Sequence, residues 1–285
     1  MTGDDLSWMV RDIVDNVPRA RNAVVLSADG IPRGATDGMT EADVRTISAA
    51  MAGMQSLSRA TSRFAGAAQE ARWNQTIVEF SHGWVFLIGA GQGAFLAAAA
   101  EPDVDLQQIS FRMHRLVARL GGNLTAAPRT RAARAAADGA GGEPSGRPQG
   151  RPPSGLELPE LDRAVAGVPG ARHAVLLDDR GLPRGTTSGI SKDLADTVSA
   201  AMTGLHAYSR ATSRFAGGPD DGRWRQTVVE FQHGWVLLTA AGDDACLVAA
   251  ADHDCDIEEF ATRLHEVMPA PGTAALPGGR TGGDA

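Results

Sequence analysis

Several residue types are scarce in this sequence, and each shortage removes a class of function. Only two of the 285 residues are cysteine, Cys246 and Cys255. Two thiols cannot staple a disulfide-built fold, and both read as small, unpaired core residues. Lysine occurs once, at Lys192, so arginine supplies the other 26 of the 27 basic residues. There is no Walker-A sequence and no phosphate-binding lysine. No run of about 18 apolar residues exists, so no membrane span is expected. The opening Met-Thr-Gly-Asp-Asp is acidic and lacks the basic-then-apolar order of a signal peptide, which predicts a cytoplasmic protein. No Gly-x-Ser-x-Gly and no metal-ligand cluster occurs, so no enzyme, cofactor or metal is expected.

What the sequence does contain, it contains twice. Residues 58–66 and 209–217 read the same nine letters, Ser-Arg-Ala-Thr-Ser-Arg-Phe-Ala-Gly. Arg72-Trp73 recurs as Arg223-Trp224, residues 75–80 recur as 226–231, and His82-Gly83-Trp84 recurs as 233–235. Gly30-Ile-Pro-Arg-Gly34 likewise returns as Gly181-Leu-Pro-Arg-Gly185. One offset of 151 residues holds from about residue 10 to about residue 116. The repeat is domain-sized, far beyond the roughly 20–50 residues of a solenoid unit. The chain therefore reads as two copies of one domain, at 4–122 and 157–268. They are joined by a Pro/Gly/Ala/Arg-rich flexible linker at 123–156 and followed by a disordered tail at 269–285. A coil of the linker's length spans roughly 30 Å, enough for the copies to meet side by side.

Charge is unequal between the copies. The net charge is −7 overall, but residues 1–125 carry 11 Arg against 13 acids, and residues 156–268 carry 10 basic residues against 18 acids. A negative globular part argues against nucleic acid as the main partner.

Periodicity gives the elements. Leu6, Val10, Ile13, Val14 and Val17 fall on one helical face, with Asp4 or Asp5 as cap. Ala23–Ala28 reads as a strand, Asp29-Gly30 as a hairpin turn, and Ile31–Thr36 as the returning strand. Thr40-Glu-Ala-Asp43 opens a long helix with the stripe Val44, Ile47, Met51, Met54, Leu57, Thr61 and Phe64, broken at Gly66. Trp73–Phe80 alternates, with Trp73, Gln75, Ile77 and Glu79 on one side and Asn74, Thr76, Val78 and Phe80 on the other. Strands at Gly83–Ala90 and Ala94–Ala100 follow. Asp105 then caps a helix carrying Leu106, Ile109, Met113, Leu116 and Leu120. Copy two repeats this order, with its first helix entered through Leu158-Pro159. The expected class is α+β: two sandwiches of order α-β-β-α-β-β-β-α, each a five-stranded antiparallel sheet with three helices.

This order resembles the Roadblock/LC7 family, in particular its single-domain bacterial members. The likeness rests on Val24-Val-Leu-Ser-x-Asp-Gly30, the Ser-Arg motif closing the second helix, Gln75-Thr-Ile-Val-Glu79 and Gly83-Trp-Val85. The resemblance implies a profilin-like fold with two helices on one sheet face and one on the other. It implies pairing through the second helices and the third strands into a ten-stranded sheet. It also implies a regulator or scaffold for a Ras-like small GTPase, within a sensor-kinase signalling complex. Carrying two domains departs from the family's homodimer habit. An exposed third strand is an aggregation-prone edge, and the two copies can cover each other's. The fused chain is therefore expected to fold on itself as a pseudo-dimer.

The interdomain or partner interface is expected at Met51, Met54, Ser58, Arg59, Arg63, Trp73 and Ile77, and at Met202, Leu205, Ser209, Arg210, Arg214, Trp224 and Val228. The arginines, one turn apart at a helix end, read either as a patch for an acidic partner or as compensation for the helix C-terminus. Ala49, Ala50, Ala52 and Gly53 suit close helix packing. His82 and His233 fall in turns without a second ligand at metal spacing. Glu79 and Glu230 have no partner carboxylate for acid–base work. Gly89-x-Gly91-x-Gly93 joins two strands with no helix after it, so it is not a dinucleotide fingerprint. The alternative function is a ligand-sensing profilin-like module without a GTPase partner, with a cavity among Trp84, Phe86 and Phe95.

Overall fold

The computed structural model describes residues 6–66, 71–91, 93–121, 157–219, 222–242 and 245–267. The linker and tail expected at 123–156 and 269–285 lie outside the described residues, as do the caps Asp4 and Asp5. The first copy runs α1 (Ser7–Asn16), β1 (Ala20–Ser27), β2 (Pro32–Ala35), α2 (Glu41–Ala60), β3 (Trp73–Phe80), β4 (Gly83–Gly89), β5 (Ala94–Ala100) and α3 (Leu106–Gly121). The second repeats it as α4 (Pro159–Ala166), β6 (Ala171–Asp178), β7 (Pro183–Thr186), α5 (Lys192–Ala211), β8 (Trp224–Phe231), β9 (Gly234–Ala240), β10 (Ala245–Asp252) and α6 (Ile257–Val267). Each copy is an α+β, profilin-like sandwich, in the order that the sequence predicts.

The local causes are visible in the caps. Thr40 Oγ1 accepts the Asp43 N–H at 3.1 Å to open α2, and Ser191 Oγ does the same for Leu194 at 3.3 Å in α5. Asp105 accepts the Gln108 N–H at 2.9 Å at the start of α3, and Asp256 accepts that of Glu259 at 2.9 Å. Pro159 sits at the first turn of α4, where its missing N–H costs nothing. The long helices end earlier than their stripes suggest. The Thr61 hydroxyl donates to the Ser58 carbonyl at 2.8 Å and Thr61 N donates to the same carbonyl at 3.1 Å, so the chain tightens into turns over 61–66. Phe64 is nonetheless fully buried. Leu106 departs from its expected face and is 40% exposed, whereas Ile109, Met113 and Leu116 are buried. The side chain of Leu120 lies outside the described residues.

All ten strands form one antiparallel sheet in the order β2-β1-β5-β4-β3-β8-β9-β10-β6-β7. Its middle joint is between β3 of the first copy and β8 of the second. The two remaining edges, β2 and β7, are only four residues long and each starts with proline. Short proline-bearing edges resist further strand addition. The helices divide between the faces. One face carries α1 and α3 over copy one, packed around Met9, Ile13, Phe86, Ile109 and Met113, and α4 and α6 over copy two, packed around Leu161, Leu237 and Phe260. The other face carries α2 and α5 side by side over a single continuous core that includes Met51, Met54, Phe80, Met202, Leu205 and Phe231. The two copies share one core on that face and have separate cores on the other.

Candidate functional site

The joint between the copies is the most elaborated region of the molecule. Ile77 lies directly opposite Val228 at the middle of the β3–β8 ladder. Beyond the strand ends, Ser81 N donates to the Arg223 carbonyl at 2.9 Å and Gln232 N to the Arg72 carbonyl at 2.8 Å. Both glutamates are anchors here. Glu79 accepts from Gln226 Nε2 at 2.7 Å and Arg225 Nη1 at 3.0 Å. Glu230 accepts from Gln75 Nε2 at 2.5 Å and Asn74 Nδ2 at 3.3 Å. Each carboxylate thus bonds the same glutamine of the opposite copy.

The expected alternation of β3 needs one correction. Trp73 and Trp224 do not share a face with Ile77 and Val228; they belong to the core beneath α2 and α5. The ladder register shifts between Trp73 and Gln75 and between Glu79 and Phe80, which leaves Asn74 and Arg225 without a directly opposed residue. An extra residue in one strand moves everything before it to the other face. Each indole N–H then finds a buried acceptor: Trp73 Nε1 donates to Thr76 Oγ1 at 3.0 Å, and Trp224 Nε1 to Thr227 Oγ1 at 2.9 Å. The same hydroxyls share a hydrogen bond with Ser58 and Ser209, both at 2.9 Å.

Above the joint, α2 and α5 run antiparallel. Leu57 reaches Gly204, and its counterpart Tyr208 reaches Gly53. Met51, Met54, Ser58, Met202, Leu205 and Ser209 are all fully buried beneath the pair. These expected interface residues hold the chain's own two halves together and are not open to an outside partner. Arg59, Arg63, Arg210 and Arg214 are exposed. The antiparallel packing puts the first two at one end of the helix pair and the last two at the other, so the four do not form one patch.

Further cross-copy contacts had no obvious signal in the sequence. Arg21 Nη1 donates to the Ala216 carbonyl at 2.8 Å, and Asn22 Nδ2 to the Phe215 carbonyl at 3.1 Å. They supply partners to carbonyls just beyond the end of α5, where the helix itself offers none. Of the counterparts, Arg172 keeps much of the arrangement: it pairs with Asp252 as Arg21 does with Glu101, and it lies against Gly66 as Arg21 lies against Gly217. The other has diverged: the His173 ring lies 5.9 Å from that of Phe64 with its Nδ1 buried and unpartnered. Burial, assisted by the Arg172 charge, pushes the His173 pKa below the ordinary histidine value. His82 stacks on Phe80 and its Nε2 reaches the Ser213 carbonyl at 3.3 Å, whereas His233 is exposed. The sequence reads His82 only as a turn residue; it is a further link between the copies. His114 is exposed, and the side chain of His265 lies outside the described residues.

Among the described residues no group of three His, Cys, Asp or Glu side chains could hold a metal ion, and no helix is long and apolar enough to cross a membrane. Both cysteines are free, with thiol pKa values raised by burial. The cavity expected among Trp84, Phe86 and Phe95 does not form, because the sheet separates its walls. Phe86 and Trp84 belong to the α1/α3 side and Phe95 to the α2 side. A different cavity, of about 550 Å³, opens in copy two beside Trp224, Met202 and Cys246.

The Roadblock/LC7 domain family model matches residues 6–100 and again residues 158–251, so the chain belongs to the Roadblock/LC7 family, whose domain it carries in tandem. Solved structures similar to it include a Roadblock/LC7 domain from Streptomyces avermitilis, 28% identical, covering 43% of this chain and 100% of that one, with a TM-score of 0.40. MglB from Myxococcus xanthus is 10% identical, with 43% of this chain and 97% of that chain covered and a TM-score of 0.38. The gliding protein MglB from Thermus thermophilus is 15% identical, with 43% and 95% covered and a TM-score of 0.37. No curated protein matches.

Proposed function

We propose that this chain is a non-enzymatic regulator or scaffold that binds a Ras-like small GTPase in a bacterial signalling system. The resemblance of its motifs to the bacterial Roadblock/LC7 members supplies the partner class. The observation that carries the reading furthest is the joint itself. A shared core under α2 and α5, together with a ten-stranded sheet, makes one rigid platform from two half-platforms. Fusion in one chain raises the effective concentration of each half for the other to the order of millimolar. The platform therefore exists without a second chain.

The working surface on this reading is the solvent face of the α2–α5 pair and its ends. Arg59 and Arg63 mark one end, and Arg210 and Arg214 the other. The halves differ in charge, with the second far more acidic by sequence. A partner that would meet two equal sides on a homodimer meets two unequal ones here, and binds one preferentially.

The test is an affinity capture with the full chain as bait from native lysate, run in parallel with GTPγS and GDP and read by mass spectrometry. Enrichment of one small GTPase in one nucleotide state supports the proposal. Recovery of ample bait with no GTPase in either state contradicts it.

A further inference from the structure

We infer that the second copy holds a small-molecule site that the first copy lacks, suited to an organic anion with a flat apolar body. The inference is independent of the GTPase reading. It starts from a comparison of the two copies at equivalent positions. In copy one Trp73 packs edge-on against Phe95, with ring centroids 5.8 Å apart and planes at 85°. In copy two the position of Phe95 is taken by Cys246, which removes most of an aromatic ring. Trp224 instead lies against His206, at 4.4 Å, where copy one has Gln55. Between α5, the β6–β7 turn and the ends of β8, β9 and β10, this substitution leaves the cavity of about 550 Å³. Binding pockets for small molecules span roughly 300–1,000 Å³.

The lining has a defined polarity. Trp224, Met202, Leu177 and Leu238 are apolar, and the first two are almost fully buried. The Trp224 indole N–H is already committed to Thr227, so its ring offers only an apolar surface to the cavity. Arg210 and Arg223 stand at the rim, exposed, and neither side chain has a hydrogen bond or ion pair among the described residues. Of the two lining aspartates, Asp178 is consumed by its own turn, accepting from Leu182 N, Arg180 N and Arg184 Nε at 2.8, 3.1 and 2.9 Å. Among the described lining residues, Asp179 is then the one carboxylate without such partners, against two guanidiniums. His206 is held below the ordinary histidine pKa by burial and by Arg210, so near neutral pH its imidazole adds one donor and one acceptor without charge. Guanidinium groups recognise carboxylates through paired N–H donors, and a planar body fits the space that Phe95 fills in copy one. The site adjoins the joint, because Trp224 begins β8 and Met202 lies under the α2–α5 pair.

Isothermal titration calorimetry of the full chain with 2-naphthoate, against the neutral 2-naphthylmethanol, tests this directly. The expected result is one site per chain for the anion and at least about tenfold weaker binding of the alcohol. Cys246→Phe refills the cavity as copy one does and is expected to weaken naphthoate by about tenfold or more. Arg210→Gln, at an exposed position that leaves the core intact, is expected to weaken the anion and leave the alcohol unchanged. Bound naphthoate should also slow iodoacetamide labelling of Cys246 but not of buried Cys255. Absence of saturable naphthoate binding to the unmodified chain, or equal affinity in the folded Cys246→Phe protein, overturns the inference. So does equal affinity for anion and alcohol.

Discussion

Tyr208 in α5 lies against Gly53 in α2, so close that a side-chain carbon at residue 53 would overlap the phenol ring. The equivalent contact has Leu57 over Gly204, where a Cβ would stand 2.6 Å from a Leu57 methyl. Glycine in a helix interior normally costs about 0.5–1 kcal/mol relative to alanine. Here it is retained because the opposing helix occupies its side-chain space. Gly53→Ala is expected to destabilise the intact chain, and to stabilise it by about 0.5–1 kcal/mol in a Tyr208→Ala background. Urea denaturation of the four proteins in this cycle reads the reversal of sign. The same sign in both backgrounds would mean that the two helices do not pack as described.

Thr76 is the hub of a buried relay, bonded to Ser58 and to the Trp73 indole. Thr76→Val keeps the shape but leaves a buried hydroxyl and a buried N–H without their partner. Each orphaned group costs about 1–3 kcal/mol, so a loss of roughly 2–4 kcal/mol is expected from equilibrium unfolding. Thr227→Val should cost about as much, since Ser209 and Trp224 repeat the geometry. A surface substitution such as Arg225→Ala should cost under about 1 kcal/mol, because Arg225 is largely exposed despite its pairing with Glu79.

His173 gives the fold a pH dependence with a definite sign. Its folded pKa lies below its unfolded value, so the unfolded chain binds the proton more readily. Stability contributed by keeping it neutral is present above the unfolded pKa, near 6.5 for a free histidine, and falls as pH drops below it. The fall continues until the folded pKa is passed. Asparagine is what copy one carries at this position, as Asn22. His173→Asn should therefore reduce the loss of stability between pH 7.5 and 5.5, measured as the shift in urea midpoint. An undiminished loss would place the proton uptake elsewhere, with His206, lowered in the same direction, as the next residue to replace.

The elements were largely legible in the sequence, because periodicity and the 151-residue offset act locally on one chain; the β3–β8 pairing was expected from the family resemblance and from the exposed strand edge. Met51, Met54, Ile77 and Val228 fall where the stripes and the unpaired edge placed them. Trp73 and Trp224 did not, since a bulge at Asn74 and Arg225 follows from how two strands meet and not from either strand alone. Glu79 and Glu230 look idle in sequence. Their role appears only when the copies are paired antiparallel, which sets each glutamate opposite the other copy's Gln75 or Gln226. The copy-two cavity was also hidden. The replacement of Phe95 by Cys246 reads as an ordinary large-to-small change until Trp224 and His206 are seen lining the vacated space.

The central claim is that β3 and β8 of the same chain pair with each other, and a cysteine at each member of the Ile77–Val228 pair tests it most directly. Directly opposed residues in an antiparallel ladder lie about 4.5–5.5 Å apart at Cα, within the reach of a disulfide. Cys246 and Cys255 would be replaced by alanine and valine, and the protein oxidised at about 1 μM, where the millimolar intrachain term dominates. The account predicts a disulfide-linked single chain of 29.7 kDa on non-reducing electrophoresis and in sedimentation. A covalent species of twice that mass, with no internally linked monomer, would contradict it.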